Sequence, residues 1–175
     1  MIFNGTTRIL QEGVDVARLV RFCASLSESD WSEWDFRQNT YEVHKNTQTY
    51  PFLWDVAPEK KKNMIGWDLV SPHIEFLESE FSGRCTKAML ARLTSGTGIS
   101  EHSDGGQLAD IHRCHLPIIS GALVDFVVDG QPNTLSVGKW YELNNQLRHS
   151  VFNGEPVDRV HFIVDIKPND KEYLL

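Results

Sequence analysis

From Thr86 onward the chain breaks into about eight short β-like runs separated by turn-forming residues, and this punctuation restricts the fold more than any other feature. The runs are Ala88–Leu93, Ile99–His102, Arg113–Ile119, Ala122–Val128, Thr134–Val137, Trp140–Leu143, Arg148–Phe152 and Arg159–Ile166. Between them stand Ser95-Gly96-Thr97-Gly98, Asp104-Gly105-Gly106, Asp129-Gly130-Gln131-Pro132-Asn133 and Asn153-Gly154-Glu155-Pro156, all turn chemistry. Strands this closely spaced leave no room for the helices that βαβ crossovers need. The pattern predicts a mainly β fold, a double-sheet jelly roll or barrel.

The first half reads differently. Val16, Leu19, Val20, Cys23 and Leu26 fall on one face of a helix spanning about Val14 to Leu26, with Ser27-Glu28-Ser29-Asp30 ending it. Residues 31–54 read as irregular and aromatic-rich, their aromatics as core and loop packing rather than a substrate cage. A second helix is predicted from about Ser71 to Phe81, with Ser71-Pro72 at its start and Gly83 just past its end. These N-terminal helices would buttress one outer sheet face. A chain of 175 residues fits one domain, with about 1–85 as a helical and loop region supplying buttress and substrate lid, and about 86–167 as the β core.

Strand parity assigns the faces. Val160, Phe162, Val164 and Ile166 share one side of the last run and should meet the helices, while Arg159, His161, Ile163 and Asp165 share the other. Arg113, His115 and Pro117 likewise oppose Cys114, Leu116 and Ile118. Two strands therefore aim cationic and imidazole groups into one interior, an arrangement that needs an anion or a metal to satisfy it.

Composition removes several classes of function. With 17 basic and 24 acidic residues the formal net charge is −7, against binding a nucleic-acid backbone. No apolar run is long enough to span a bilayer, and Met1-Ile2-Phe3-Asn4-Gly5 reads as neither a signal nor a transit peptide. Three cysteines and no CxxC fit a reducing compartment, and a cytoplasmic location is expected.

His102-Ser103-Asp104 carries the first chemical signal, because residues i and i+2 of an extended strand project from one face and can meet one ion. His149, in a later strand, is placed to be a third ligand. Two histidines and a carboxylate on one face, with the remaining positions open, form the facial triad of non-heme Fe(II) oxygenases. Arg159 follows His149 across the Asn153–Pro156 turn, where a returning hairpin brings it near the metal floor to bind a carboxylate in fork geometry. Arg113 and His115 offer a second basic pair. Each residue also has a plainer reading: Asp104 capping the Gly105-Gly106 turn, His149 at the surface, Arg159 paired with Asp158 or Glu155, Arg113 with Asp110, His115 as a hydrogen-bonded core histidine. His112 is expected to be exposed and His161 structural. His44 and His73 have no ligand-like neighbour in the sequence.

The segments Ile99–Asp104, Arg113–Pro117, His149–Gly154 and Arg159–Asp165 together resemble the aspartyl/asparaginyl (and prolyl) β-hydroxylase family of Fe(II)/2-oxoglutarate dioxygenases, over about residues 88–166. The resemblance implies a double-stranded β-helix (jelly roll, cupin-like) core. It implies Fe(II) on His102, Asp104 and His149, 2-oxoglutarate with its far carboxylate on Arg159 and further contacts from Arg113 and His115, and O2 as co-reactant. The implied reaction hydroxylates an unactivated C–H and releases succinate and CO2. Asp104 aligns the chain with bacterial amino-acid hydroxylases of the family and favours hydroxylation over halogenation. The substrate would be a free amino acid, or an Asp, Asn or Pro residue in a peptide, with Arg37 a candidate for its carboxylate. A non-catalytic cupin-like metal- or ligand-binding module, and a cupin enzyme that uses no oxo acid, are the alternatives.

Overall fold

The computed structural model describes residues 3–56 and 60–169. In chain order the elements are β1 (Thr7–Gln11), α1 (Ala17–Ser25), α2 (Glu28–Ser32), α3 (Phe36–Thr40), β2 (Thr47–Asp55), β3 (Lys60–Lys62), α4 (Trp67–Glu80), β4 (Gly83–Leu93), β5 (Gly98–His102), β6 (His112–Ile119), β7 (Val124–Val128), β8 (Gln131–Asn133), β9 (Trp140–Leu143), β10 (His149–Asn153) and β11 (Arg159–Pro168). Single 3-10 turns occupy Glu42–His44 and Gly106–Leu108.

Strands order as β1-β9-β6-β11-β4-β2-β3 in a seven-stranded sheet and as β5-β10-β7-β8 in a four-stranded one. Every pairing is antiparallel. From β4 onward the chain alternates between the two sheets, apart from the β7–β8 hairpin within the smaller one, which is the jelly-roll, or double-stranded β-helix, arrangement.

The central strands of the large sheet are buried on both faces. Its outer face carries Val160, Phe162, Val164 and Ile166 of β11 with Cys114, Leu116 and Ile118 of β6, and packs against Leu19 and Cys23 of α1 and Val70, Ile74 and Leu77 of α4. Fully burying each large apolar side chain there contributes about 1.5–3 kcal/mol. Between the sheets, Leu93, Phe126, Val128, Tyr141, Leu143 and Val151 form a second apolar cluster at one end of the interior. A third, Trp54, Met89, Ala91 and Ile163, lines the other.

Several local expectations are corrected. The second helix starts at Trp67, not near Ser71, with Gly66 as its left-handed N-cap at φ 77° and Pro72 inside it. The buried stripe of Val70, Ile74 and Leu77 outweighs the single hydrogen bond that Pro72 removes. Ser27-Glu28-Ser29-Asp30 does not merely end a helix: Ser27 and Asp30 form a capping box that opens α2. Residues 47–55, read as irregular, are the well-buried strand β2. A register shift between Pro51 and Leu53 turns Tyr50 and Phe52 outward and Trp54 inward, so no simple alternation announces the strand. Thr134–Val137 is not a strand. Asp129 and Gly130, at φ 51° and 70°, make a two-residue hairpin that returns the chain at once as β8.

Candidate metal centre and its cavity

His102 ends β5 and His149 opens β10, and the two are paired across the four-stranded sheet. Close approach of these strands depends on Gly98, where a Cβ would stand 2.8 Å from the Val151 carbonyl oxygen. Asp104 leaves β5 two residues after His102. Its N–H donates to the Asn145 carbonyl at 2.8 Å, and Gln146 Nε2 donates to its carbonyl at 2.8 Å. Asn145 Nδ2 in turn donates to Leu108 O at 3.0 Å. Asn145 and Gln146 thus tie the loop bearing Asp104 to the strand bearing His149.

These ties bring three donors together. One ligand atom from each of His102, Asp104 and His149 lies within 4.8 Å of the other two. His102 Nε2 is 4.0 Å from Asp104 Oδ1, and His149 Nε2 is 4.0 Å from Asp104 Oδ2. On the far side of each ring, Nδ1 meets a backbone carbonyl, Ser100 O at 2.8 Å for His102 and Leu147 O at 2.9 Å for His149. A proton held on each Nδ1 leaves both Nε2 lone pairs facing the shared point. Burial lowers the His149 pKa, which favours the neutral ring a metal requires. Two imidazole nitrogens and one carboxylate, oriented by outer partners and open on one side, fit a divalent transition metal.

Arg113 stands behind Asp104. Its Nε and Nη2 donate to the two oxygens of Asp165 at 2.9 Å each, and Nη1 donates to Asp104 Oδ2. Three of the five guanidinium donors are thereby engaged within the protein. Burial alone would raise the Asp165 carboxyl, but Arg113 and Lys87 outweigh it and hold it below its ordinary value. The surface pairing with Asp110 does not form.

Arg159 opens β11 on the same inner face with the opposite surroundings. It is 4% exposed, its Nε has no partner, and among the described residues no carboxylate pairs with it. Asp158, its plain-reading partner, approaches Arg92 instead at 3.7 Å. Burial, and then the Arg37 charge, push the Arg159 guanidinium down to about 9, still protonated at neutral pH. His115 and His161 are buried beside it with Nδ1 atoms 3.3 Å apart and both Nε2 atoms unpartnered. Burial keeps both rings neutral.

Arg37, on α3, is also buried. It donates to Thr49 Oγ1 at 3.3 Å and reaches His44 Nε2 at 3.1 Å. Burial, with Arg113 next, pushes its guanidinium down to about 10. His102, His149, Arg113, His115, Arg159 and Arg37 all border one interior cavity. On the α3 side it widens into a mouth of about 530 Å³ walled by Phe36, Tyr41, Trp54, Val56, Lys87 and Met89.

Three residues of this region escaped sequence reading. His44 packs edge-on to His102 with ring centroids 5.7 Å apart, although nothing near it in the chain signals this. Lys87 enters through the inward parity of β4, which it shares with Met89. Asp165 was legible as inward-facing, but its pairing with Arg113 spans 52 positions. His112, expected to be exposed, is buried: Nδ1 meets Glu142 Oε1 at 2.6 Å and the ring stacks on Phe81 at 3.9 Å. It shares the outward parity of Cys114, where the sheet is covered. No helix among the described residues is long and apolar enough to cross a membrane.

Comparisons with known proteins bear on the fold and the family. A search of curated protein sequences finds no match. Among solved structures, the chain resembles an oxidoreductase of the 2OG-Fe(II) oxygenase family from Burkholderia pseudomallei, at 16% identity over 69% of this chain and 67% of that one, with a TM-score of 0.54. It also resembles the nickel complex of ThoJ, a non-heme monooxygenase, at 12% identity over 93% of this chain and 74% of that one, with a TM-score of 0.58. At these identities the likeness establishes the fold. The family model for aspartyl/asparaginyl β-hydroxylases matches residues 7–168, from β1 through β11. The chain therefore belongs to the aspartyl/asparaginyl β-hydroxylase family.

Proposed function

We propose that the chain is an Fe(II)- and 2-oxoglutarate-dependent dioxygenase that hydroxylates an unactivated C–H of an amino acid, or of an Asp, Asn or Pro residue in a peptide. The observation that carries this reading is the convergence of the His102, Asp104 and His149 donors on a cavity that also holds the unpartnered guanidinium of Arg159. Bound Fe(II), with 2-oxoglutarate and O2, would supply the oxidising power, 2-oxoglutarate leaving as succinate and CO2.

His102 and His149 would hold the metal through Nε2, and Asp104 through its carboxylate. Arg113 positions Asp104 from behind, because its hydrogen bonds go to Asp104 and Asp165. Arg159 would take the far carboxylate of 2-oxoglutarate in a water-poor site, where a charge-assisted pair is strong. His115 borders the same cavity, and its free Nε2 can donate or accept there as the shared proton of the His115–His161 pair dictates. The residues up to about 85 supply the outer wall and, through α3, the mouth that orients substrate and excludes water.

The test is succinate release from 2-oxoglutarate by iron-loaded protein across a panel of amino acids and short peptides. Substrate-stimulated succinate release that His149→Ala abolishes is the expected result. Full activity in His149→Ala would remove the triad. Metal uptake without any 2-oxoglutarate turnover would favour the binding-module alternative.

A further inference from the structure

Arg37 has only neutral polar partners. Thr49 Oγ1 and the His44 ring accept from it, Met89 Sδ lies 3.8 Å from Nη1, and no carboxylate pairs with it among the described residues. Its neighbour in the mouth is Lys87, two residues from Met89 on one face of β4 and so about 7 Å along the strand. Lys87 Nζ sits 4.6 Å over the Trp54 ring and no closer than 3.8 Å to Asp165, a carboxylate already bound by both arms of Arg113.

The charges of the whole cavity do not balance. Arg37, Lys87, Arg113 and Arg159 are basic; Asp104, and Asp165 behind Arg113, are acidic. Arg92 also borders the cavity but is neutralised by Glu28 and Asp158. A divalent metal and a doubly charged 2-oxo acid cancel each other, so the excess of two positive charges persists once both are bound. Uncompensated charge in a buried site is costly, and the remaining component is the substrate.

We propose that the substrate is a dianion without an ammonium group, of the class of N-acylated acidic amino acids, with one carboxylate on Arg37 and its second negative charge toward Lys87. This rests on the functional reading above and narrows it. A zwitterionic amino acid would bring a cation beside two cations and leave the excess untouched. The apolar walls Phe36, Trp54, Val56 and Met89 suit the acyl group.

The experiment uses whole protein loaded with Zn(II), which is redox-inert and silences turnover. Calorimetry first measures 2-oxoglutarate binding, then, at saturating 2-oxoglutarate, N-acetylaspartate, N-acetylglutamate, free aspartate, free glutamate and N-acetylasparagine. One of the two N-acetyl diacids should bind at least about tenfold more tightly than its free amino acid and than the monoamide. Arg37→Gln should erase the diacid-over-monoamide preference, and Arg37→Lys should retain part of it. Both should weaken 2-oxoglutarate binding several-fold less than they weaken diacid binding. Should Arg37→Gln fail to fold by its melting curve, the wild-type ranking and Arg37→Lys decide. Free amino acids binding as tightly as the diacids, diacids that do not bind, or a preference untouched by a folded Arg37→Gln would each overturn the proposal. A protein that takes up no 2-oxoglutarate overturns the functional reading instead, and the diacid ranking is then required of the Zn(II)-loaded protein alone.

Discussion

Arg113 and Arg159 stand on neighbouring strands of the same inner sheet face and are similarly buried, at 8% and 4% exposed. Around Arg113 the fold supplies a two-pronged carboxylate in Asp165 and a further oxygen from Asp104. Around Arg159 it supplies neutral histidines and another cation. The protonated form is accordingly favoured at Arg113 and opposed at Arg159. A buried cation given its counter-ions by the chain is architecture. One denied them lowers stability, and under the function proposed above it is the group an external carboxylate would neutralise.

The sharpest way to break this contrast is to delete the counter-ion. Asp165→Ala should destabilise the protein by about 3–5 kcal/mol in denaturant unfolding, since it leaves Lys87 without a carboxylate and Arg113 with Asp104 alone. A loss below about 1 kcal/mol would mean that Arg113 is as uncompensated as Arg159. Arg159→Ala should do the reverse. Its stability should be unchanged or higher, while 2-oxoglutarate binding weakens by about 1.5–3 kcal/mol and metal affinity holds. Equal loss of metal and 2-oxoglutarate would remove Arg159 from the cosubstrate site.

Acidity probes the Arg159 end by another route. His115 and His161 are held neutral in the fold, well below their ordinary 6.5, and take up protons once unfolded. Their contribution is therefore present above pH 6.5 and is lost as pH falls below it. Melting of metal-free protein should register about 2–3 kcal/mol of loss from this pair between about pH 7 and about pH 5.5. His161→Gln should flatten that slope. The smallest effect concerns the tie between loop and strand. Asn145→Ala should cost about 1 kcal/mol of stability and lower metal affinity more than 2-oxoglutarate affinity, measured by calorimetry.

How far these regions could be read from the sequence follows from which rules act locally. The parity of β11 assigns Val160, Phe162, Val164 and Ile166 to the helix side and Arg159, His161 and Asp165 to the interior, because a period of two survives in a strand buried on both faces. Likewise His102 and Asp104 need only their spacing. Harder cases depend on distant partners. The bulge in β2 breaks the alternation that would have revealed it, and Asp165 meets Arg113 only through the β11–β6 register. Lys87 and His44 join the mouth because β4 and the segment after α3 converge there. His112 escaped because cover by Phe81 is a property of the assembled sheet and helices.

The pairing of His102 with His149 across β5 and β10 has a consequence for assembly. Both belong to the smaller sheet, whose strands are three to five residues long. A slip of one residue between them would swing one imidazole to the opposite side and dismantle the ion's seat. An ion that binds only the correct alignment would thus act as a staple on the smaller sheet. Its loss and the fraying of that edge would then be one event, and metal-free protein should show faster amide exchange in β5 and β10 than in β4 and β11.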